Sequence, residues 1–332
     1  MTAFVPQKAP QPQGRGFFTA IRQGFALVAA RARHVRIRYD RLGDYARLLP
    51  DAPPRNVFDM KHHYISNDAE ALAAYVLTLD AVNFGSGYEA DLVREGWKMI
   101  DHSIYFTLAS CLKHHFATQG PFEAQALAQI TPEDCAGLFA LPSGNAGREF
   151  SGLLSESLRE MGAMIARDCN GRFLDFVEAA NGSAETLAAN LARLPHFQDV
   201  HLYDGLTVPF YKRAQITAAD LHLAFGHLGR ALFSDIGDVT MFPDNGVPHV
   251  LHVAGILGYS GDLSARIARG DEIPSGSAEE VEIRACVGLV VENIAALKNM
   301  RAMDIDHILW HRSVENALYR TLPTHRTRSS FY

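Results

Sequence analysis

The chain is 332 residues long, 48% hydrophobic and 20% charged, which excludes disordered and collagen-like classes. Its 31 basic and 37 acidic side chains leave a formal net charge of −6, which argues against a stable grip on nucleic-acid phosphates. Cys111, Cys135, Cys169 and Cys286 are widely separated and form no C-x-x-C pattern, so neither a zinc ribbon nor a disulfide framework is expected. A reducing, cytoplasmic setting follows as the expectation, and with no apolar run near ~18 residues, no membrane span.

Before Asp40 there is no acid, while Arg15, Arg22, Arg31, Arg33, Arg36 and Arg38 supply positive charge, the composition of a mitochondrial transit peptide. Pro6, Pro10 and Pro12 favour a different reading, a disordered tail over 1–14 followed by an ordinary first helix. Residues 15–332 then form one domain. Asn67-Asp68 opens a helix over 69–82, with Leu72, Tyr75, Val76 and Leu79 on one face. Thr131-Pro132-Glu133-Asp134 reads as a helix start, and a long amphipathic helix over 148–168 follows. Shorter helices over 173–180 and 183–194 end at Asn181-Gly182 and Pro195. Val200 to Tyr203 and Leu206 to Val208 flank Asp204-Gly205, a two-residue hairpin turn. Thr217 with Asp220 resembles a capping box for a helix to Leu228, and Ser277 with Glu280 does so for a helix over 278–300. The latter is apolar nearly all round from Ala285 to Ala296 and belongs in the middle of the protein. The expected architecture is a single compact, mainly α domain with a small β-hairpin.

Two segments carry chemistry. Lys212-Arg213 sits where the hairpin passes into a helix, a sensible anion site, with a solvated basic turn as the alternative. Phe242-Pro243-Asp244 places an aromatic ring and a carboxylate together in a loop before a helix near Pro248, with a turn in which Asp244 caps nearby amides as the alternative. Asn83-Phe84-Gly85-Ser86-Gly87 lacks the third glycine of a dinucleotide fingerprint and follows a helix, so it reads as a helix stop. The pairs His62-His63, His114-His115 and His249/His252 lack the context of a metal site and read as surface or packed histidines; no metal and no cofactor are expected.

Taken together, the sequence resembles the queuosine salvage family, the queuosine 5′-phosphate N-glycosylases, in its bacterial branch. The matching segments are 80–87 (DAVNFGSG), 210–216 (FYKRAQI), 240–244 (TMFPD), 280–286 (EVEIRAC), Asp306 with Leu309-Trp310, and 325–332 (HRTRSSFY). They stand in family order and span about 33–332. The resemblance implies an all-helical fold laid out like helix-hairpin-helix DNA glycosylases, and hydrolysis of the N-glycosidic bond of queuosine 5′-phosphate, which releases queuine for salvage into tRNA. It implies a catalytic role for Asp244 and a position for Phe242 against the base, with Lys212 on the phosphate and Asp306 and Trp310 on the base. His63, Asp80 and Asn83 fall in a segment that aligns with the pocket. Pro243 replaces a common alanine, and His311 stands where eukaryotic members carry an acid, which bears on recognition of the base's side arm.

The residue types suit that reaction. Cleavage of a ribosyl C1′–N bond builds positive charge on the sugar, which a carboxylate such as Asp244 can stabilise while orienting water. A 7-deaza base has carbon in place of N7, so protonation there is unavailable, and no residue is assigned to the leaving group from sequence. The base's secondary ammonium arm calls for an acid, and Asp306 is the candidate, with Trp310 one turn on. Glu280, Glu282 and Arg284 are expected to form a buried ion-pair network. The alternatives are a non-catalytic 7-deazaguanine-binding protein and a glycosylase acting on polymeric nucleic acid, the latter disfavoured by net charge.

Overall fold

Asp68 accepts hydrogen bonds from the amides of Glu70 and Ala71 and so starts the Ala69–Asp80 helix, whose residues from Ala71 onward are all buried. Thr131 and Asp134 exchange the reciprocal bonds of a full capping box at the Pro132–Leu138 helix. The long amphipathic helix runs Asn145–Asp168. In the computed structural model, residues 16–54 and 58–332 are described; the tail expected over 1–14 lies outside them. The protein is mainly α, with two small antiparallel sheets among the described residues.

The strands are β1 (Val35–Ile37), β2 (Val200–Tyr203), β3 (Leu206–Pro209) and β4 (Leu257–Tyr259). β2 and β3 form the expected hairpin, with Tyr203 opposite Leu206 and both turn residues left-handed, at φ 46° for Asp204 and 78° for Gly205. β1 pairs with β4, joining Val35 to Tyr259. That pairing was not expected, because two three-residue strands far apart in sequence leave no local periodicity to read.

One helix start and one capping box differ from expectation. The Lys212–Gly226 helix begins five residues before Thr217, after Tyr211 in a left-handed conformation. Thr217 is therefore internal, its hydroxyl donating to the Arg213 carbonyl at 2.7 Å. Ser277 does cap the Ala278–Lys298 helix, but Glu280 returns to the amide of Gly276 instead of that of Ser277.

Hydrophobic side chains gather into two clusters. One surrounds the Ala69–Asp80 and Asn145–Asp168 helices and the start of Lys212–Gly226; the other surrounds Gly246–Val253 and Ala302–Glu315. The Ala278–Lys298 helix supplies both, Val281 and Ala285 to the first and Ile283, Cys286 and Val290 to the second, and so occupies the middle. Gly288 on it lies against Phe25, where a Cβ would come within 2.5 Å of the ring. The C-terminal segment closes over the 3₁₀ turn Ser86–Tyr88, and Gly87 permits this: a Cβ there would stand 1.9 Å from the Thr327 carbonyl oxygen. The Gly85 amide donates to Tyr332 O at 3.0 Å, and the Tyr332 hydroxyl donates to Glu280 at 3.0 Å.

Candidate active site

A cavity of about 510 Å³ opens between the two clusters. Lys212, Phe242, Asp244, Asp306, Trp310 and His311, all picked out from sequence, line it together with Asn83. Asp80 and His63 are buried and stand outside its wall.

Asp244 ends the loop before the Gly246–Val253 helix. Its Oδ1 accepts the amides of Gly246 at 2.8 Å and Val247 at 3.3 Å, which fixes the carboxylate and leaves Oδ2 toward the cavity. The side chain is reachable from the cavity but ringed by protein. That burial raises its pKa, opposed by the charge of Lys212 and by the two amides.

Lys212 opens its helix with its ammonium inside the protein. Nζ donates to Asn83 O at 3.2 Å and to Asn83 Oδ1 at 3.3 Å. Burial lowers the Lys212 pKa, while Asp244, Asp80 and Asp306 act to raise it. Its ammonium thus stands among several carboxyls, with Arg213 as a second nearby cation.

Asp306 Oδ1 accepts the Phe242 amide at 3.1 Å and ties the Ala302–Glu315 helix to the loop that carries Asp244. Burial, then the charge of Asp244, holds its carboxyl well above the ordinary range. Trp310 lies one turn on and meets Tyr105 and Phe106 edge to face, with ring centroids 5.7 and 5.4 Å away. His311 pairs with Glu315 at 3.1 Å.

Arg213 is not a solvated turn residue. Its guanidinium donates to the carbonyls of Asp80, Ala81, His196 and Ser330 and to Ser157 Oγ, clamping the loop after Ala69–Asp80 to the C-terminal segment. Arg326 and Arg328 of the C-terminal segment pair with Asp91.

The expected Glu280–Glu282–Arg284 network also divides. Glu280 does meet Arg284, but Glu282 accepts the amides of Arg33, His34 and Val35 and the hydroxyl of Tyr203. The principal partner of Arg284 is Asp199, which no motif marked. Burial alone would raise the Asp199 carboxyl, but Arg284 and His201 bring it well below the ordinary range.

Four further wall or support residues escaped the sequence: Asp199, Glu89, Tyr105 and Asp220. Burial pushes the Glu89 carboxyl up to about 7. Asp220 could have been found from the spacing Lys212, Ile216, Asp220, a single helical face, had the helix start been placed at Lys212.

The fold and site define a mainly helical protein with a cavity lined by acidic and aromatic side chains. The family model described as queuosine salvage protein matches residues 62–332, and the chain belongs to that family. It is 41% identical over 284 residues, 80% of this chain and 83% of the relative, to a protein of Sphaerobacter thermophilus. It is 30% identical to one from Dictyostelium discoideum over 95% of this chain and 99% of the relative, and 27% to one from Mus musculus over 94% and 98%. All three are named queuosine 5′-phosphate N-glycosylase/hydrolase.

Proposed function

We propose that this protein is an N-glycosidic hydrolase that cleaves queuosine 5′-phosphate and releases queuine for salvage into tRNA. The observation that carries the reading is the meeting of Asp244, Lys212, Phe242, Asp306 and Trp310 on one cavity wall in a chain of this family. The Asp244 carboxylate lies beneath the ribose, stabilises the positive charge that grows at C1′ and takes a proton from the attacking water. Phe242 and Trp310 enclose the base. Asp306 faces its ammonium arm, with His311 at the outer end, and Lys212, steadied by Asn83, attracts the 5′-phosphate. His63 and Asp80 support the wall from behind.

The substrate is a free nucleotide. The net charge of −6 supports the absence of a stable nucleic-acid partner. None of the described helices is long and apolar enough to cross a membrane. The four cysteines stand unpaired, which supports a cytoplasmic setting. Incubation with queuosine 5′-phosphate, followed by mass detection of free queuine, tests the reading. Binding without release would mark a carrier instead of an enzyme.

A further inference from the structure

A hydrogen-bond chain enters the cavity wall from behind. His63 Nδ1 lies 3.0 Å from the Asp59 carbonyl oxygen, which can only accept, so the histidine proton is on Nδ1. Nε2 is then a bare lone pair, and the Tyr105 hydroxyl, 2.9 Å away, donates to it. That uses the hydroxyl's one proton. Asp220 Oδ2 lies 3.5 Å from the same hydroxyl oxygen. With the tyrosine proton donated to His63, the hydroxyl offers Asp220 only its lone pairs, and this long contact closes to a hydrogen bond only when Asp220 is protonated. The links at hydrogen-bond distance run Tyr105 O–H to His63 Nε2 and His63 Nδ1–H to the carbonyl, with Asp220 beside the tyrosine oxygen at their inner end.

The neighbours agree with a neutral Asp220. It is buried on the Lys212–Gly226 helix and faces Asp80 of the Ala69–Asp80 helix, Lys212 of its own helix and Tyr105 of Ile104–Thr118. Asp80 accepts Asn83 Nδ2 at 3.0 Å, while its Oδ2 has no partner. Burial and the charge of Asp80 hold the Asp220 carboxyl well above the ordinary range, whereas Asp80, which burial also raises, reaches only about 6. Of these two interacting carboxyls, Asp220 is the one that keeps its proton. Asp220 and Tyr105 both line the cavity, and Tyr105 touches Trp310, on the side where the reading above puts the base.

We infer that Asp220 is a second catalytic residue of this site, the acid that protonates the departing base, an assignment that rests on the hydrolase reading above. A base without N7 has no nitrogen there to protonate, so its departure needs a proton delivered elsewhere on the ring. As the C1′–N bond breaks, its electron pair passes to the base, which takes the Asp220 proton and leaves neutral. Asp220 becomes a carboxylate. Water supplies the oxygen that bonds to C1′ and gives a proton to Asp244. Return of one proton from Asp244 to Asp220 through cavity water restores both groups, and Tyr105 and His63 fix where the acid proton sits. Opposite ionisation of Asp244 and Asp220 supplies the base and the acid that one hydrolysis requires.

The test is Asp220→Asn in the full chain. With queuosine 5′-phosphate, kcat should fall at least a hundredfold with KM within a few-fold, and the alkaline limb of kcat should change position, leaving only the decline set by the Lys212 ammonium. With 4-nitrophenyl β-D-ribofuranoside 5-phosphate, whose leaving group departs without a proton, the variant should stay within a few-fold of wild type, whereas Asp244→Asn loses both substrates. If wild type does not accept the aryl substrate, the pH profile decides alone. Tyr105→Phe should shift the alkaline limb without abolishing it, a change that mere loss of packing would not make. An Asp220→Asn protein with kcat within a few-fold of wild type and an intact alkaline limb would overturn the assignment. Failure of wild type to release queuine would overturn the hydrolase reading beneath it.

Discussion

Arg284 holds Asp199 through two hydrogen bonds, Nη1 to Oδ1 at 2.8 Å and Nη2 to Oδ2 at 2.5 Å, with both side chains fully enclosed. Each partner also reaches one half of the active site. Arg284 Nε donates to the Pro243 carbonyl at 3.0 Å, one residue before Asp244, and Asp199 Oδ2 accepts the Lys212 amide at 3.2 Å. A single ion pair therefore sets the separation of the two loops that present the carboxylate and the ammonium.

Removing Arg284 leaves two buried carboxylates, Asp199 and Glu280, without their shared cation. Arg284→Met should destabilise the protein by about 3–5 kcal/mol, because Asp199 keeps its desolvation cost without its partner. Arg284→Lys keeps the charge but not the fork. It should retain more of the stability while kcat still falls, since the Pro243 carbonyl loses its donor. Urea unfolding of both variants beside kcat for Arg284→Lys separates the two effects; a lysine variant with wild-type kcat would show that the Pro243 contact does not position Asp244.

Replacing Asp244 by Asn retains its shape and removes its charge. Loss of one electrostatic stabiliser costs roughly 3 kcal/mol, a hundredfold or more in rate, while binding persists. Turnover by Asp244→Asn within a few-fold of wild type would contradict the catalytic assignment.

Burial sets the acid stability of the fold. His307 and His325 are pushed down to about 4 and about 3 by burial first, aided by His311 and by His249 respectively. In the unfolded chain each titrates near 6.5, so between about pH 6.5 and 4 the unfolded state binds more protons than the folded one. The contribution of these two histidines is complete above 6.5 and is lost on acidification by about 1.4 kcal/mol per pH unit for each. Asp199, held below its ordinary value, contributes above about pH 4 and loses that contribution only under more acidic conditions. Glu89, Asp80, Asp220 and Asp306, whose carboxyls burial raises, bind protons in the folded state over the same range and oppose this slope. The histidine part is therefore the difference in slope between wild type and His307→Gln in urea unfolding at pH 7, 6 and 5; equal slopes would exclude it.

Asp306 couples substrate binding to ionisation. Its carboxyl is held well above the ordinary range in the empty cavity, and an ammonium placed beside it favours the anion. Queuosine 5′-phosphate should therefore release a proton from Asp306 on binding, and an analogue without the amine should not. Calorimetry in buffers of different ionisation enthalpy reads the difference. Asp306→Ala should abolish it and weaken binding by roughly 1–3 kcal/mol, partly because the buried Phe242 amide loses its acceptor.

The sequence was most legible where the signal is local. Asp68, Thr131 and Ser277 mark helix starts because a cap acts on amides two or three residues away, and Asp204-Gly205 marks the hairpin because few residue types tolerate its backbone. Among the site residues, Asp244, Lys212, Phe242, Asp306 and Trp310 came from motifs and do meet around one cavity. What escaped is pairwise and distant. Asp199 has no meaning until Arg284 stands beside it, 85 positions later. Asp220 was hidden differently: Thr217-x-x-Asp220 satisfied a local capping pattern, and only the burial of Lys212 and Arg213 moves the helix start upstream and turns Asp220 toward the cavity.

Lys212 serves two electrostatic tasks, and its removal should separate them. In the empty site its charge holds Asp244 down against burial, and Asn83 fixes its ammonium. With substrate bound, the same charge attracts the 5′-phosphate. Lys212→Ala should therefore narrow the preference for queuosine 5′-phosphate over the free nucleoside by about ten- to a hundredfold, the worth of one charged hydrogen bond. Binding energy from a remote phosphate also orients the scissile bond, so kcat falls along with affinity. The second effect appears in the pH profile. Without the lysine, the Asp244 pKa rises further, and because the anion is the active form, the acid limb of kcat/KM moves to higher pH for both substrates. Measuring kcat/KM for nucleotide and nucleoside across pH at fixed ionic strength distinguishes the tasks. A shifted limb with an unchanged substrate ratio would leave Lys212 as the counter-charge of Asp244 and send the phosphate to the cavity mouth, where Arg320 and His102 line the wall.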